Sequence, residues 1–281
     1  MDVDGSMVSA AFGLTTAASW GAGDFCGGLA TKRANVHGVV IGAHASGAVV
    51  FLALALVSRE PVPPFANLAA CGAAGLFGAL GLLALYRALA MGRMGIAAPV
   101  SGVLSAAVPV VAGAVLEGRP GAVRLIGFAL ALMAVWLVSR SDEGAFCAGD
   151  LGLPVAAGLG FGLFIVIIGR ASAGGVFWPL VAARVASLSA LSLVARLSRQ
   201  RLLPARGLTL VVLAGLLDGA GNAFVVLAAQ AGRLDVAGVL CSLYPATTVI
   251  LAWVFLRERI SRWQFAGLML ALSAIVMITL P

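Results

Sequence analysis

Charge is what this chain has least of: 10% of its 281 residues are Asp, Glu, Lys or Arg, against about 25% in an ordinary soluble domain. Lysine occurs once, at Lys32, and histidine and tyrosine twice each. With 62% of the residues hydrophobic, a water-soluble core could not keep a polar exterior, so the bilayer is the main solvent. Cysteine is sparse too. Cys26, Cys71, Cys147 and Cys241 stand singly, without a CxxC pair or a metal-ligand spacing, and read as small apolar fillers. The chain also lacks an HExxH, a Ser/His or paired-aspartate constellation, and a clustered acidic motif. Those absences argue against the usual intramembrane enzymes. No metal and no cofactor is expected.

The net charge of +7 would suggest nucleic acid in a soluble protein. Here no basic stripe alternates with aromatic residues, so anionic lipid headgroups are the plainer partner. The 36 glycines suit tightly packed membrane helices, where small residues let backbones approach.

What is abundant is apolar sequence. Runs fall at about 8–30, 36–57, 66–90, 95–116, 121–139, 151–169, 176–196, 207–230, 235–256 and 263–280. At roughly 20 residues per span, ten spans leave no room for a folded soluble domain. The leader "MDVDGS" has two acids and no base, so the first run is expected to be a span and not a cleaved signal peptide.

The chain repeats itself. "GLTTAASWGAGDF" from Gly13 and "GLPVAAGLGFGLF" from Gly152 match at seven of thirteen positions without a gap. Further on, an offset of 140 aligns Gly92-Arg93 with Gly232-Arg233, Arg119 with Arg259, and Gly127 with Gly267. Five spans per repeat start the second repeat on the opposite side of the membrane, so the halves are inverted. The expected fold is an all-α polytopic membrane protein of ten transmembrane helices, as two inverted repeats of five over 1–145 and 146–281. Two inverted halves around a cavity can alternate which side is open, and that is the physical basis of a secondary transporter.

Several stretches resemble the drug/metabolite transporter superfamily, specifically its ten-helix EamA-type members. They are "WGAGDF" (20–25), "YRAL" (86–89), "PVVAGAVLEGR" (109–119) and "SLYPATTVILAWVFLRERIS" (242–261), followed by "GLMLALSAIVMI" (267–278). The resemblance implies a multi-pass protein of the cytoplasmic (inner) membrane that moves a small metabolite or drug-like solute, often outward. It places Trp20, Tyr86, Pro109, Pro245, Glu117 and Glu258 where the family has these residues. The partners expected are a small-molecule substrate, membrane lipids, a proton or counter-solute, and a second copy in a homodimer; no nucleic acid is expected.

The polar residues at membrane depth are the candidates for the transport site. Asp218 sits mid-span, and a carboxylate there costs about 2.5–3.5 kcal/mol on insertion scales, so it should face protein or a wet cavity. Asn222, four residues on, shares its helix face. Both read either as a substrate- or proton-binding pair or as a structural interhelix bond. Arg184 lies too deep to reach headgroups and should pair with Asp218 or Asp24, or attract an anionic substrate group. Trp20 offers an aromatic wall, and Asp24 follows it by one turn among glycines.

His44 is either a proton carrier or a neutral, hydrogen-bonded imidazole. Tyr86 and Tyr244, the only tyrosines, can present hydroxyls to a solute. Pro109 and Pro245 interrupt the fourth and ninth runs and are hinge or kink candidates. Glu117 and Glu258 sit at helix exits beside arginines, as gate candidates or as charges that seat a helix end.

Orientation is contradictory at this level. With a cytoplasmic N-terminus, the inner side holds Arg59, Arg119, Arg124, Arg170 and Arg233, while twelve basic residues fall outside. The positive-inside rule favours the reverse, whereas the resemblance implies both termini inside. The competing function is a passive channel or permease for small polar solutes, which would need a continuous polar path.

Overall fold

The structure is a computed structural model that describes residues 3–32, 34–91, 94–138, 151–199, 207–257 and 261–279. Among these residues the regular structure is entirely helical: α1 Val3–Thr31, α2 Val36–Ser58, α3 Phe65–Ala90, α4 Met94–Leu116, α5 Ala122–Val138, α6 Gly152–Ala171, α7 Phe177–Leu197, α8 Leu208–Ala231, α9 Leu234–Cys241, α10 Tyr244–Leu256 and α11 Arg262–Thr279. An apolar run in lipid has no water to satisfy its peptide groups, so it closes its own hydrogen bonds as a helix.

Among the described residues, six segments are long and apolar enough to cross a membrane: Val36–Ser58, Phe65–Ala88, Gly152–Ala171, Phe177–Leu197, Leu208–Ala231 and Leu234–Leu256. Val100–Leu116, Ala122–Val138 and Arg262–Ile278 are further apolar stretches, within α4, α5 and α11. Large apolar side chains such as Val57, Phe65, Val115 and Leu197 point outward, as a lipid-facing surface requires.

The ninth apolar run differs from expectation, because it is two helices. α9 stops at Cys241 and α10 starts at Tyr244, with Pro245 in its first turn. Proline lacks an N–H to continue α9 but fits the first turn of a new helix, where that N–H has no intrahelical acceptor. Ser242 seals the break by donating from Oγ to Gly238 O at 2.8 Å. Pro109, by contrast, sits inside a continuous α4, against Gly238, where any Cβ would collide with its ring.

Helix pairings come in matched sets. α1 packs on α8 and α6 on α3; α2 packs on α8 and α7 on α3; α2 meets α7, and α5 meets α11. Exchanging α1–α5 for α6–α11 swaps the first two pairings with each other and the next two likewise, and it returns α2–α7 and α5–α11 to themselves, as an internal repeat demands. Small residues make the crossings tight. A Cβ on Gly215 would meet the Ala43 carbonyl and Ser46, and one on Gly75 would strike the backbone of Ala183.

Charged caps tie the ends together at one face. Glu60 accepts from the backbone N–H of Val176 at 3.2 Å and of Phe177 at 2.9 Å, and Trp178 Nε1 donates to Glu60 O at 3.1 Å. The α2–α3 loop therefore caps α7. Glu117 accepts from Leu234 N–H at 3.1 Å, so the end of α4 caps α9. Arg233 donates back to Glu117 O and Gly118 O and pairs with the buried Asp235 at 2.6 Å. Hydrogen bonding to Asp235 holds its guanidinium above the ordinary arginine range. Glu60→Ala is expected to cost about 1 kcal/mol, the usual worth of a lost N-terminal cap, read as a lower melting temperature of the purified protein. Glu60→Gln, which keeps one acceptor, should recover part of it; an unchanged melting temperature in Glu60→Ala would contradict the capping role.

Candidate functional site

A cavity of about 60 Å³ lies between helices of both repeats. That is room for a handful of waters, at roughly 10–15 Å³ each. Its polar lining comprises Trp20 and Asp24 from α1, His44 from α2, Ser105 from α4, Arg184 and Ser187 from α7, Asp218 and Asn222 from α8, and Tyr244 from α10. Gly75, Gly78, Ala79 and Leu82 of α3, Phe161 and Phe164 of α6, and Leu180 and Ala183 of α7 complete the wall.

One polar chain crosses this space. Arg184 forms an ion pair with Asp218 through Nη2 and Oδ2. Asn222 Nδ2 donates to the same carboxylate oxygen at 3.4 Å, and Trp20 Nε1 donates to Asn222 Oδ1 at 3.0 Å. The chain thus links α7, α8 and α1. Arg184 is almost fully enclosed, with 5% of its side chain exposed against 26% for Asp218. Its guanidinium carbon also sits 5.7 Å from the Phe51 ring centroid, a cation–π contact. Of the two partners the sequence leaves open for Arg184, the ion pair is with Asp218.

Next to this chain, Ser187 Oγ donates to Arg184 O at 2.9 Å and lies 2.8 Å from His44 Nδ1. The contact ties the His44 ring of α2 to Ser187 of α7 inside the cavity wall. On the other side of the cavity, Ser105 Oγ donates to Ser242 Oγ at 3.0 Å, and Tyr244 OH lies 3.4 Å from Ser101 Oγ. These contacts join α4 to the break between α9 and α10.

The cavity gathers seven of the residues singled out in the sequence: Trp20, Asp24, His44, Arg184, Asp218, Asn222 and Tyr244. Tyr86 is outside the lining. It is buried, and its hydroxyl abuts Gly27, where a Cβ would overlap it. Pro109 and Pro245 are not lining residues either, although Pro245 starts the helix that presents Tyr244. Glu117 caps α9 away from the cavity, and Glu258 lies outside the described residues.

Sequence reasoning missed Ser105, Ser187, Phe161, Phe164 and the capping Glu60. Ser187 is three residues from Arg184 and so on its face, which is the one signal that could have found it. Residues 140 apart meet at the cavity: His44 with Arg184, Gly78 with Asp218, and Leu82 with Asn222. The two repeats share positions here but not chemistry. The second repeat supplies the polar partner in the α8 pairs, and the first supplies glycine and leucine.

The sequence profile of the EamA-like transporter family matches residues 7–140 and, a second time, residues 149–280. None of the curated proteins matches the chain. Among solved structures, one protein known from its crystal structure is 18% identical, with a TM-score of 0.79 over 97% of this chain and 98% of that one. At that identity the likeness is one of fold.

Proposed function

Because the chain belongs to the EamA-like transporter family, a family of membrane transporters of small solutes, we propose that it is a secondary active transporter working by alternating access. In this reading ten spans, counting α9 and α10 as one broken span, form two inverted repeats over 1–145 and 146–281 in the cytoplasmic membrane. The solute occupies the cavity around Arg184, Asp218, Asn222 and Trp20. Export, coupling to a proton or counter-solute, and pairing into a homodimer belong to the same proposal.

The observation that carries it is the position of the polar chain. Trp20 belongs to the first repeat, and Asn222, Asp218 and Arg184 to the second, so the site lies where the two repeats must move against each other. A site shared in this way changes exposure when one repeat rocks on the other. The break at Ser242 and Leu243 gives the wall a joint, with Tyr244 on its far side. The small cavity is the closed form of a site that enlarges to admit a solute.

The test is a thermal-shift screen of amino acids, nucleosides, amines and organic acids on the purified protein, followed by uptake of each stabilising compound into proteoliposomes. Transport predicts flux that saturates with concentration. Flux that rises linearly without saturating would instead favour the passive channel, and no flux of any compound would contradict transport altogether.

A further inference from the structure

A second concavity, sharing no residue with the polar cavity, lies between α3 and α7. It is a groove of about 650 Å³ lined by apolar and aromatic residues. The two helices touch there at Gly72 and Ala186, where a Cβ on the glycine would sit 3.5 Å from that of Ala186. Phe65 and Val185, also in the lining, are exposed.

The length of the groove selects what fills it. Its lining on α3 runs from Phe65 to Leu76, about 16 Å of helix, and on α7 from Trp178 to Ala186, about 12 Å. Both stretches begin in the first turn of their helices, at the face where Glu60 caps α7. The groove therefore descends from one membrane face to about the midplane, the depth of one leaflet, whose hydrocarbon is about 15 Å thick. An acyl chain ends at that depth. A spanning helix of a second copy would run through both leaflets and be seated over only half its length.

The head of the groove carries a positive charge. Arg59 ends α2 in a left-handed conformation and is exposed. Three residues on, Val62 enters the lining, and the Glu60 carbonyl accepts from Trp178, another lining residue. The Glu60 carboxylate is turned away to the backbone N–H groups of Val176 and Phe177. Among the described residues Arg59 joins no ion pair, and a guanidinium matches the geometry of a phosphate. We propose that the groove holds one acyl chain of an anionic phospholipid, with Arg59 on its phosphate. This site stands whether or not the protein transports a solute.

Trp178 supplies the readout. The purified full chain is placed in phosphatidylcholine vesicles that contain rising fractions of brominated phosphatidylglycerol or, in parallel, of brominated phosphatidylcholine. Bromine quenches tryptophan fluorescence on contact, and subtracting the signal of Trp178→Phe isolates Trp178. Half-maximal quenching should come at an about fivefold lower fraction of phosphatidylglycerol, the worth of one arginine near an anionic surface. Arg59→Gln should bring the two lipids level and Arg59→Lys should keep most of the difference. Ala69→Phe, whose ring fills the groove, should also abolish it. Arg59 and Ala69 are both exposed, and unchanged melting temperatures check that the variants fold.

Equal quenching by the two lipids in the unaltered protein would overturn the proposal. So would a preference for phosphatidylglycerol that survives Arg59→Gln or Ala69→Phe. Trp178 shielded from both lipids, with the shielding lost as the protein is diluted in the membrane, would place a second copy in the groove and overturn it as well.

Discussion

Replacing Asp218 with alanine is expected to abolish saturable flux and to lower stability by about 3 kcal/mol, near the low end for breaking a buried ion pair. The loss comes from what is left behind. Arg184 has 5% of its side chain exposed and would keep its charge without its carboxylate. The partial exposure of Asp218, 26%, is why the lower figure applies. Asn222 Nδ2 would also lose its acceptor, which loosens the amide whose Oδ1 accepts from Trp20.

Folding and transport can be separated. The double replacement Arg184→Met with Asp218→Leu removes both charges, and such swaps are often neutral or stabilising. It should recover the stability, measured by thermal unfolding in detergent, while flux stays absent. If Asp218→Ala unfolds at the same temperature as the unaltered protein, the ion pair does not hold α7 to α8. If the double variant transports normally, the pair does not belong to the transport site.

Gly75→Leu is the second change with a large expected effect. A Cβ at Gly75 would lie against the backbone of Ala183, which cannot swing away as a side chain tip can. α3 must then move off α7, at a cost of about 1–3 kcal/mol for overpacking. Gly75, Ala183 and Arg184 line the same cavity, so flux should fall below about a tenth of normal, roughly the effect of 1.4 kcal/mol or more. Gly72→Ala is the control. One turn earlier on α3, its Cβ would sit 3.5 Å from that of Ala186, an ordinary contact on a groove outside the cavity. It should change neither stability nor flux appreciably. Normal flux in Gly75→Leu would show that the close approach of α3 and α7 is dispensable.

The helices were largely legible because lipid leaves an apolar run no other structure. The run expected at 36–57 is α2 at Val36–Ser58, and the run at 207–230 is α8 at Leu208–Ala231. The two prolines show where legibility stopped. Pro109 and Pro245 look alike as interruptions, yet α4 passes through the first and the ninth run breaks before the second. The outcome depends on neighbours. Gly238 makes room for the Pro109 ring, and Ser242 satisfies a carbonyl at the break. No local pattern encodes either contact.

The site divides in the same way. Arg184 and Asp218 stood out because charge at membrane depth must be matched, and few partners exist. That Arg184 joins Asp218 and leaves Asp24 alone follows from how α1, α7 and α8 cross. Serines such as Ser105 and Ser187 gave no signal, since isolated serines are common in membrane helices. Tyr86 misled for the opposite reason. A rare hydroxyl suggested a solute contact, but Gly27 opposite it makes a pocket for the ring in the helix packing.

Alternating access around the cavity is tested most directly by counterflow. Proteoliposomes are loaded with an unlabelled compound from the thermal-shift screen and diluted into a trace of the labelled one. A site that opens to one side at a time predicts that label accumulates transiently above its equilibrium level and then declines, and that Asp218→Ala removes the overshoot. Label that climbs steadily to equilibrium with no overshoot would contradict alternating access and identify a pore.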